Sequence, residues 1–246
     1  ATITAKRHSA SVYMSGELDE DADVEGGLRS VIEGKIATAW AELIEKTIIN
    51  GDTETGSTGN VNSDNGAPAA KSYYLHQDGL VKAAVANSKT FDAGTLALSD
   101  FTAVRRLMGV NGLKVSDLIT IFNPETYFTA LDLSQVQTAD AFGRAATVIE
   151  GELEKIQGMR VMANANFLKA EADGKRNTSE GSNTLGRFLI AHLPSIFVGF
   201  RRRLKITVTY LDDVDQFRIS AHTRWGLTIA NAADGTVAMG RNVTVS

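Results

Sequence analysis

Residues 21–52 read DADVEGGLRSVIEGKIATAWAELIEKTIINGD and carry a sustained helical pattern. Apolar side chains recur at the three- and four-residue spacing of one helix face, at Val24, Leu28, Val31, Ile32, Ile36, Trp40, Leu43, Ile44, Ile48 and Ile49. The pattern predicts a single helix about 40 Å long, because each helical residue advances the chain by about 1.5 Å. Asp19 and Asp21 offer capping oxygens at its start, and Asn50-Gly51 is typical of a helix end.

A helix of this length needs a surface to pack on, because it contains Gly26, Gly27 and Gly34. Each glycine lowers helix propensity by up to about 1 kcal/mol. The C-terminal part of the chain offers such a surface. Residues 204–210 alternate between apolar and polar, 211–215 form an acidic turn, and 216–229 read as a long strand, interrupted at Gly226. We therefore expect a long antiparallel hairpin that lies along the helix.

The rest of the chain reads as a mixture of strands, helices and polar loops. Residues 1–15 predict a strand with Ile3, Ala5, Val12 and Met14 facing inward. Residues 51–68 and 172–186 are dominated by Gly, Ser, Thr, Asn and Asp, and we expect exposed loops there. The remaining predicted elements are helices at 73–87 (weakened at Gly79) and 98–107 (capped by Ser99 or Asp100), and strands at 117–122, 158–164, 187–193 and 195–200.

Two dipeptides give sharper local predictions. Asn123-Pro124 starts a helix, with Asn as the cap and Pro at the first helical position, and Tyr127, Phe128 and Leu131 facing inward. Asp234-Gly235 is typical of a hairpin turn and leads into a strand at 236–239.

Composition excludes several classes of function. The 246 residues contain no cysteine, which removes disulfides, zinc–thiolate sites and thiol catalysis. No run of eighteen apolar residues and no charged-then-apolar leader occurs, so the sequence predicts neither a membrane span nor a secretory signal. A net charge of −4 disfavours a protein that coats DNA. Because the chain starts within a strand pattern and without Met, we expect a processed or partial product.

No residue pattern supports catalysis, a cofactor or a metal ion. The histidines, at positions 8, 76, 192 and 222, are not spaced as ligand pairs, and no G-x-S-x-G nucleophile motif occurs. The carboxylates of residues 17–25 include candidates for a glycosidase-like acid and base, but their position favours a solvated, helix-capping lead-in. We therefore assign no catalytic, cofactor-binding or metal-binding residue.

One charged pattern has three interpretations. A basic cluster, Arg201, Arg202, Arg203 and Lys205, is followed closely by the acidic residues Asp212, Asp213 and Asp215. The first interpretation is a solvated charged surface. The second is a subunit contact, in which the acidic hairpin tip of one copy meets the basic base of a neighbour. The third, contact with DNA phosphates, is weaker because the chain is acidic overall.

Several stretches, in order, resemble the HK97-type major capsid proteins of tailed double-stranded DNA phages. Residues 14–52 resemble the lead-in, spine helix and NGD ending of that family, with Asn50, Gly51 and Asp52 at the ending. The other matching stretches are ITIFNPETYFTAL (119–131), IQGMRVMANANF (156–167), where Met159 replaces a common Pro, and the long segment 193–240. The departure is at the N-terminus, where residues 1–13 would supply only the descending strand of the extended loop that family members carry.

The resemblance implies an α+β fold with a long spine helix packed on an antiparallel β-hairpin and a compact mixed α/β axial domain. It implies four segments: 1–72, with the extended-loop strand, spine helix and Gly-rich loop; 73–200, the axial domain; 201–231, the peripheral-domain hairpin; and 232–246, the returning strand. It also implies a non-enzymatic shell protein that assembles through pentamers and hexamers into an icosahedral head.

Partners and location follow from the same resemblance. The subunit would contact copies of itself and portal, scaffold or decoration proteins, and would enclose double-stranded DNA without sequence-specific binding. It would reside in the virion, and in the host cytoplasm during assembly, with no membrane contact. Three alternatives stay open: an encapsulin-like compartment shell, a soluble α+β enzyme, and a non-shell phage structural protein such as a tail component.

Overall fold

The computed structural model describes residues 2–21, 27–56, 58–137 and 152–245. The chain divides into two compact units. The first contains the residues up to Glu45 together with Val198–Thr228, and the second contains Lys46–Phe197 together with the residues from Ile229 onward. Among the described residues the α-helices are α1 (Gly16–Asp21), α2 (Leu28–Asn50), α3 (Leu80–Ala86), α4 (Leu98–Leu107), α5 (Pro124–Leu131) and α6 (Ser134–Gln137). The strands are β1 (Lys6–Ser15), β2 (Thr90–Gly94), β3 (Leu118–Phe122), β4 (Lys155–Ile156), β5 (Met159–Ala163), β6 (Gly186–His192), β7 (Ile196–Leu211), β8 (Gln216–Ile229) and β9 (Val237–Val243).

The long helix is confirmed, but its predicted start is wrong. α2 runs for 23 residues and ends at Asn50, as predicted. It begins at Leu28, because Gly27 adopts a φ of 79°, which a right-handed helix excludes. Asp19 and Asp21 lie in the separate short helix α1, so neither stands at the N-cap position of α2. Residues 22–26, which include Val24 and Gly26, lie outside the described residues.

In the first unit, three strands form a sheet in the order β1-β8-β7. β1 runs antiparallel to β8, with Lys6 opposite Trp225 and Ser15 opposite Gln216. β7 and β8 are joined by the turn at 212–215, so the predicted hairpin is confirmed. β7 is one strand of 16 residues where two were expected, and β8 continues through Gly226.

The part of helix α2 that belongs to the first unit packs on one face of this sheet, with contacts near each of its ends. The Arg29 guanidinium lies 4.3 Å from the centre of the Phe217 ring. Eleven residues further along, the Trp40 ring meets His8 edge-on at 6.3 Å, and His8 stacks on Trp225 at 5.8 Å. The expectation that the hairpin would supply a surface along the helix is therefore confirmed.

The second unit is built on a sheet in the order β2-β9-β6-β3-β5-β4, with helices on both faces. The central strand β6 shows the pattern most clearly. Phe188 and Ile190 join the core under α4 and α5, whereas Leu189 and Ala191 join the core under α3. Because successive side chains of a strand point to opposite faces, burial on both sides requires the continuous apolar run that β6 has.

Most predicted elements of the second unit are confirmed, with local corrections. The helix predicted at 73–87 is divided at Gly79 into a 3₁₀ turn (Tyr73–His76) and α3. α4 has the predicted bounds, but its cap is Ala97, whose backbone N–H donates to Asp100 Oδ2 (2.8 Å). α5 starts at Pro124 after Asn123, as predicted.

Some predictions of inward-facing residues and of pairing are wrong. Phe128 is 63% exposed, and Ile3 and Val12 are also exposed, whereas Met14 is buried. The hairpin expected at Asp234-Gly235 does not form, since β9 pairs with β6 and β2 in the second unit's sheet.

Candidate assembly surfaces

The NGD motif (Asn50-Gly51-Asp52) is a buried junction at the end of α2. The Asp52 side chain has no solvent exposure and lies 2.9 Å from Lys82 Nζ of α3. Its two carboxylate oxygens accept the backbone N–H groups of Glu54 (2.9 Å) and Val61 (2.7 Å). Asp52 therefore holds the start of the following loop to α3 with one ion pair and two charge-assisted hydrogen bonds.

Gly51 is required by close approach of the backbone. A Cβ at this position would lie 2.2 Å from the Gln77 carbonyl oxygen and 2.5 Å from that of Thr47. The Asn50 side chain donates to the Asn166 carbonyl (2.8 Å), which ties the helix end to a second loop. The motif therefore fixes where α2 ends for reasons of packing as well as of helix termination.

The loop at 51–68 is partly buried, which corrects the prediction of an exposed loop. Asn60, Val61 and Ser63 are buried. Asn60 Nδ2 donates to the Glu54 carbonyl (2.7 Å). Asn62 Nδ2 donates to the Asn50 carbonyl (2.6 Å). Asn and Ser form compact loops by bonding to nearby backbone groups, so a composition that reads as solvated also suits a folded loop.

A fully buried cation, Arg187 of β6, holds the second polar loop. Its Nε donates to the Leu168 carbonyl and its Nη1 to the Gly174 carbonyl, both at 2.8 Å. Its guanidinium lies 4.6 Å from the centre of the Phe167 ring. Burial, followed by the charge of Arg176, lowers the pKa of Arg187 to about 9. Nothing in the sequence pattern marked this arginine, because it lies within an apolar strand.

The basic cluster is divided between the two faces of the first unit's sheet. The rings of Phe200 and Tyr210 contact those of Trp225 and Phe217, which lie on the face covered by α2. Alternation along β7 therefore places Arg202 on that face. Arg201, Arg203 and Lys205 point to the opposite face, and all three are exposed.

Arginines from the other two strands extend this patch. Arg7, Arg218 and Arg224 share the face with Arg201, Arg203 and Lys205, and Arg7 lies directly opposite Arg224. We call these six residues the basic face. Strands β1, β7 and β8 contain no Asp or Glu, although the whole chain has 29. Like charges directly opposite each other are destabilising, so an acidic partner would stabilise this surface.

The acidic residues of the hairpin lie in its turn, as predicted. We call residues 212–215 the hairpin tip. Asp212 and Asp213 are exposed, and the Asp215 carboxylate accepts the Tyr210 hydroxyl (2.8 Å). Val214 lies between the carboxylates with 52% of its surface exposed. The tip therefore presents negative charge beside an apolar side chain.

In the described part of the chain, no further strand pairs with either edge of the same sheet. β1 and β7 are the outer strands, with 10 and 16 residues. Long exposed edges offer unpaired N–H and C=O groups to other chains, and proteins usually cover or shorten them. An open edge of this length is a candidate surface for pairing with another subunit.

His8 and His192 make structural contacts. His8 lies between two tryptophans, and burial, with the charge of Lys6 second, lowers its pKa below 6.5. His192 Nδ1 lies 2.8 Å from Ser195 Oγ, a local contact across a turn. Within the described ranges, no three His, Asp or Glu side chains are grouped to hold a metal ion. No helix in the described part of the chain is long and apolar enough to cross a membrane.

No protein-family model matches the sequence, and no curated protein does. Solved structures do match. The chain superposes on a subunit of the capsid of a native GTA particle with a TM-score of 0.65 and 15% identity, covering 99% of this chain and 74% of that one. The capsid of Ralstonia phage GP4 gives a TM-score of 0.64 and 14% identity over 99% and 74%. The mature capsid of bacteriophage PhiM1 gives 0.62 and 14% over 98% and 72%.

These likenesses define the fold. The chain has the α+β architecture of the HK97-type capsid fold, as the resemblance in sequence implied. At identities of 14–15% the match rests on topology, because side chains have diverged nearly everywhere.

Proposed function

We propose that this chain is a major capsid protein that assembles through pentamers and hexamers into an icosahedral head enclosing double-stranded DNA. The observation that carries the proposal is the fold match to phage and GTA capsid subunits over 98–99% of this chain. Because the matched structures are capsid subunits, we also propose a structural, non-enzymatic role.

The surfaces of the first unit support self-assembly on physical grounds. A three-stranded sheet with two open edges and a like-charged face gains stability when neighbours cover it. Similar contacts recur between neighbouring copies in a shell, so modest contacts at each surface add up over a closed particle.

The proposal extends to partners and location. The subunit would enclose DNA without reading its sequence, meet portal, scaffold or decoration proteins, and reside in the virion after assembly in the host cytoplasm. The division into a peripheral domain (1–72 and 201–231), an axial domain (73–200) and a returning strand (232–246) remains a prediction about the assembled subunit.

Negative-stain electron microscopy of the purified chain, with light scattering, tests this function. We expect pentamers, hexamers or closed shells hundreds of ångströms across. Particles that protect double-stranded DNA from nuclease would support the capsid role. Shells that contain a protein cargo and no DNA would favour a compartment shell, and open tubes would favour a tail component. A chain that stays monomeric at every protein and salt concentration would contradict the proposal.

A further inference from the structure

A pocket lies at the end of the first unit's sheet opposite the hairpin tip. We call it the base pocket. It has a volume of about 510 Å³ and is lined by Ile3, Thr4, Ala5, Gly199, Phe200, Arg201 and Arg224. We propose that the base pocket of one copy receives the hairpin tip of a second copy. This inference rests on the proposed function only in that it requires the chain to self-associate.

Two glycines let the segment before β1 approach the sheet closely. A Cβ at Gly226 would lie 2.6 Å from Ile3 Cγ2 and 2.7 Å from the Thr4 carbonyl oxygen. A Cβ at Gly199 would lie 3.2 Å from Ile3 Cδ1. The segment before β1 therefore crosses the sheet where side chains are missing, and it forms one wall of the pocket.

The pocket combines positive charge with an apolar wall. Arg224 donates from Nε to the Ala5 carbonyl (3.1 Å), which holds its guanidinium beside the segment that crosses the sheet. Arg201 is exposed, and among the described residues it has no ion pair. Ile3 contributes an exposed aliphatic surface. A matching ligand has carboxylates beside a small apolar group.

The hairpin tip has that composition. Asp212 and Asp213 supply exposed carboxylates, and Val214 supplies an exposed isopropyl group. Carboxylates accept hydrogen bonds from guanidinium groups in a bidentate geometry, and the valine would cover Ile3. The tip therefore complements the pocket in charge and in apolar character.

The contact must join two copies. Arg201 and Leu211, the last residue of β7 before the tip, are ten positions apart along the strand, which is about 33 Å at 3.3 Å per residue. One copy cannot bend its own tip into its own pocket across an extended strand. A tip-to-base contact is head-to-tail, and such contacts close into rings when the rotation between copies allows it.

Duplex DNA is the competing occupant, since phosphates also bind arginine. The apolar wall favours the tip, because a phosphate backbone offers nothing to cover Ile3. The charge distribution of the first unit also favours the hairpin tip as the occupant. The carboxylates that complement the basic face lie in the turn between β7 and β8, so every copy carries both the basic face and its acidic complement.

Charge reversal with a matched control tests the proposal. Arg201→Glu reverses a pocket residue, and Arg203→Glu reverses an exposed neighbour on the same strand and face that does not line the pocket. Sedimentation velocity at several salt concentrations would measure self-association. We expect Arg201→Glu to weaken it about tenfold, because reversal replaces an ion pair with a like-charge contact. Arg203→Glu should change it less than about twofold. Adding Asp213→Lys to Arg201→Glu should restore association, because the pair is exchanged.

The outcomes separate the contact from the proposed function. Equal effects of Arg201→Glu and Arg203→Glu, or failure of the exchange variant to recover, would overturn the tip-to-pocket contact. Arg201→Glu that loses binding to a 30-base-pair duplex while self-association is unchanged would assign the pocket to phosphate instead. If shells form equally well in every variant, the capsid role would be supported and the tip-to-pocket contact would be refuted. If the exchange variant associates again but no variant forms closed particles, the tip-to-pocket contact would be supported and the proposed capsid role would be contradicted.

Discussion

Replacement of Asp52 by Asn tests whether the NGD motif stabilises the second unit. The buried carboxylate satisfies Lys82 and the N–H groups of Glu54 and Val61. An amide of the same shape keeps one oxygen acceptor and replaces the other with an NH₂ donor. Whichever way the amide turns, its NH₂ group faces a donor: the Val61 N–H in one orientation, Lys82 and the Glu54 N–H in the other.

The expected cost follows from those contacts. An orphaned buried donor costs about 1–3 kcal/mol, and each charge-assisted bond that becomes neutral loses about 1 kcal/mol. Partial exposure of Lys82, at 22%, lets water recover some of its loss. We expect Asp52→Asn to lower the free energy of unfolding by about 3 kcal/mol, which is about 6–12 °C in melting temperature for a protein of this size.

Urea unfolding followed by circular dichroism would measure the change, with Asp92→Asn as the control. Asp92 also pairs with a cation, since Arg241 Nε lies 2.7 Å away, but its side chain is 58% exposed. An exposed pair contributes about 0–1 kcal/mol. An Asp52→Asn variant no less stable than Asp92→Asn would refute the assignment of the motif as a buried junction.

Further predictions concern the first unit. Gly226→Ala places a Cβ 2.7 Å from the Thr4 carbonyl oxygen and should destabilise the protein by about 1–3 kcal/mol. Gly34→Ala, within α2 and facing open space, should stabilise it by about 0.5–1 kcal/mol, and thermal melts would compare the two. Burial beside two tryptophans and the charge of Lys6 lower the pKa of His8 below 6.5. Below pH 6.5 the unfolded chain therefore binds more protons than the folded chain, and the free energy of unfolding decreases as the pH is lowered. Melts between about pH 7 and pH 5 should show a steeper loss in the wild type than in His8→Phe, and parallel curves would contradict the role of His8.

Elements with strong local signals were predictable from sequence. The bounds of α4 and β8, the end of α2 at Asn50 and the start of α5 at Pro124 all follow from periodicity and terminator residues. The start of α2 was missed because the apolar stripe continues through Gly27, and a pattern of side chains does not reveal a backbone in the left-handed region.

Features that depend on distant contacts were not predictable. The polar composition at 51–68 predicted a solvated loop, but Asp52 and Asn60 fold it through backbone hydrogen bonds. The sequence indicated only the part of the basic face that lies on β7. Arg7, Arg218 and Arg224 join it through strand pairing. One sequence shows charge along the chain and does not show which strands lie side by side.

The proposed function requires this chain to form shells. Electron microscopy of the purified chain, with particle mass measured by light scattering, tests it most directly. We expect pentamers, hexamers or closed icosahedral particles hundreds of ångströms across, with nuclease-resistant double-stranded DNA inside particles recovered from cells. A stable monomer at every protein concentration would contradict it.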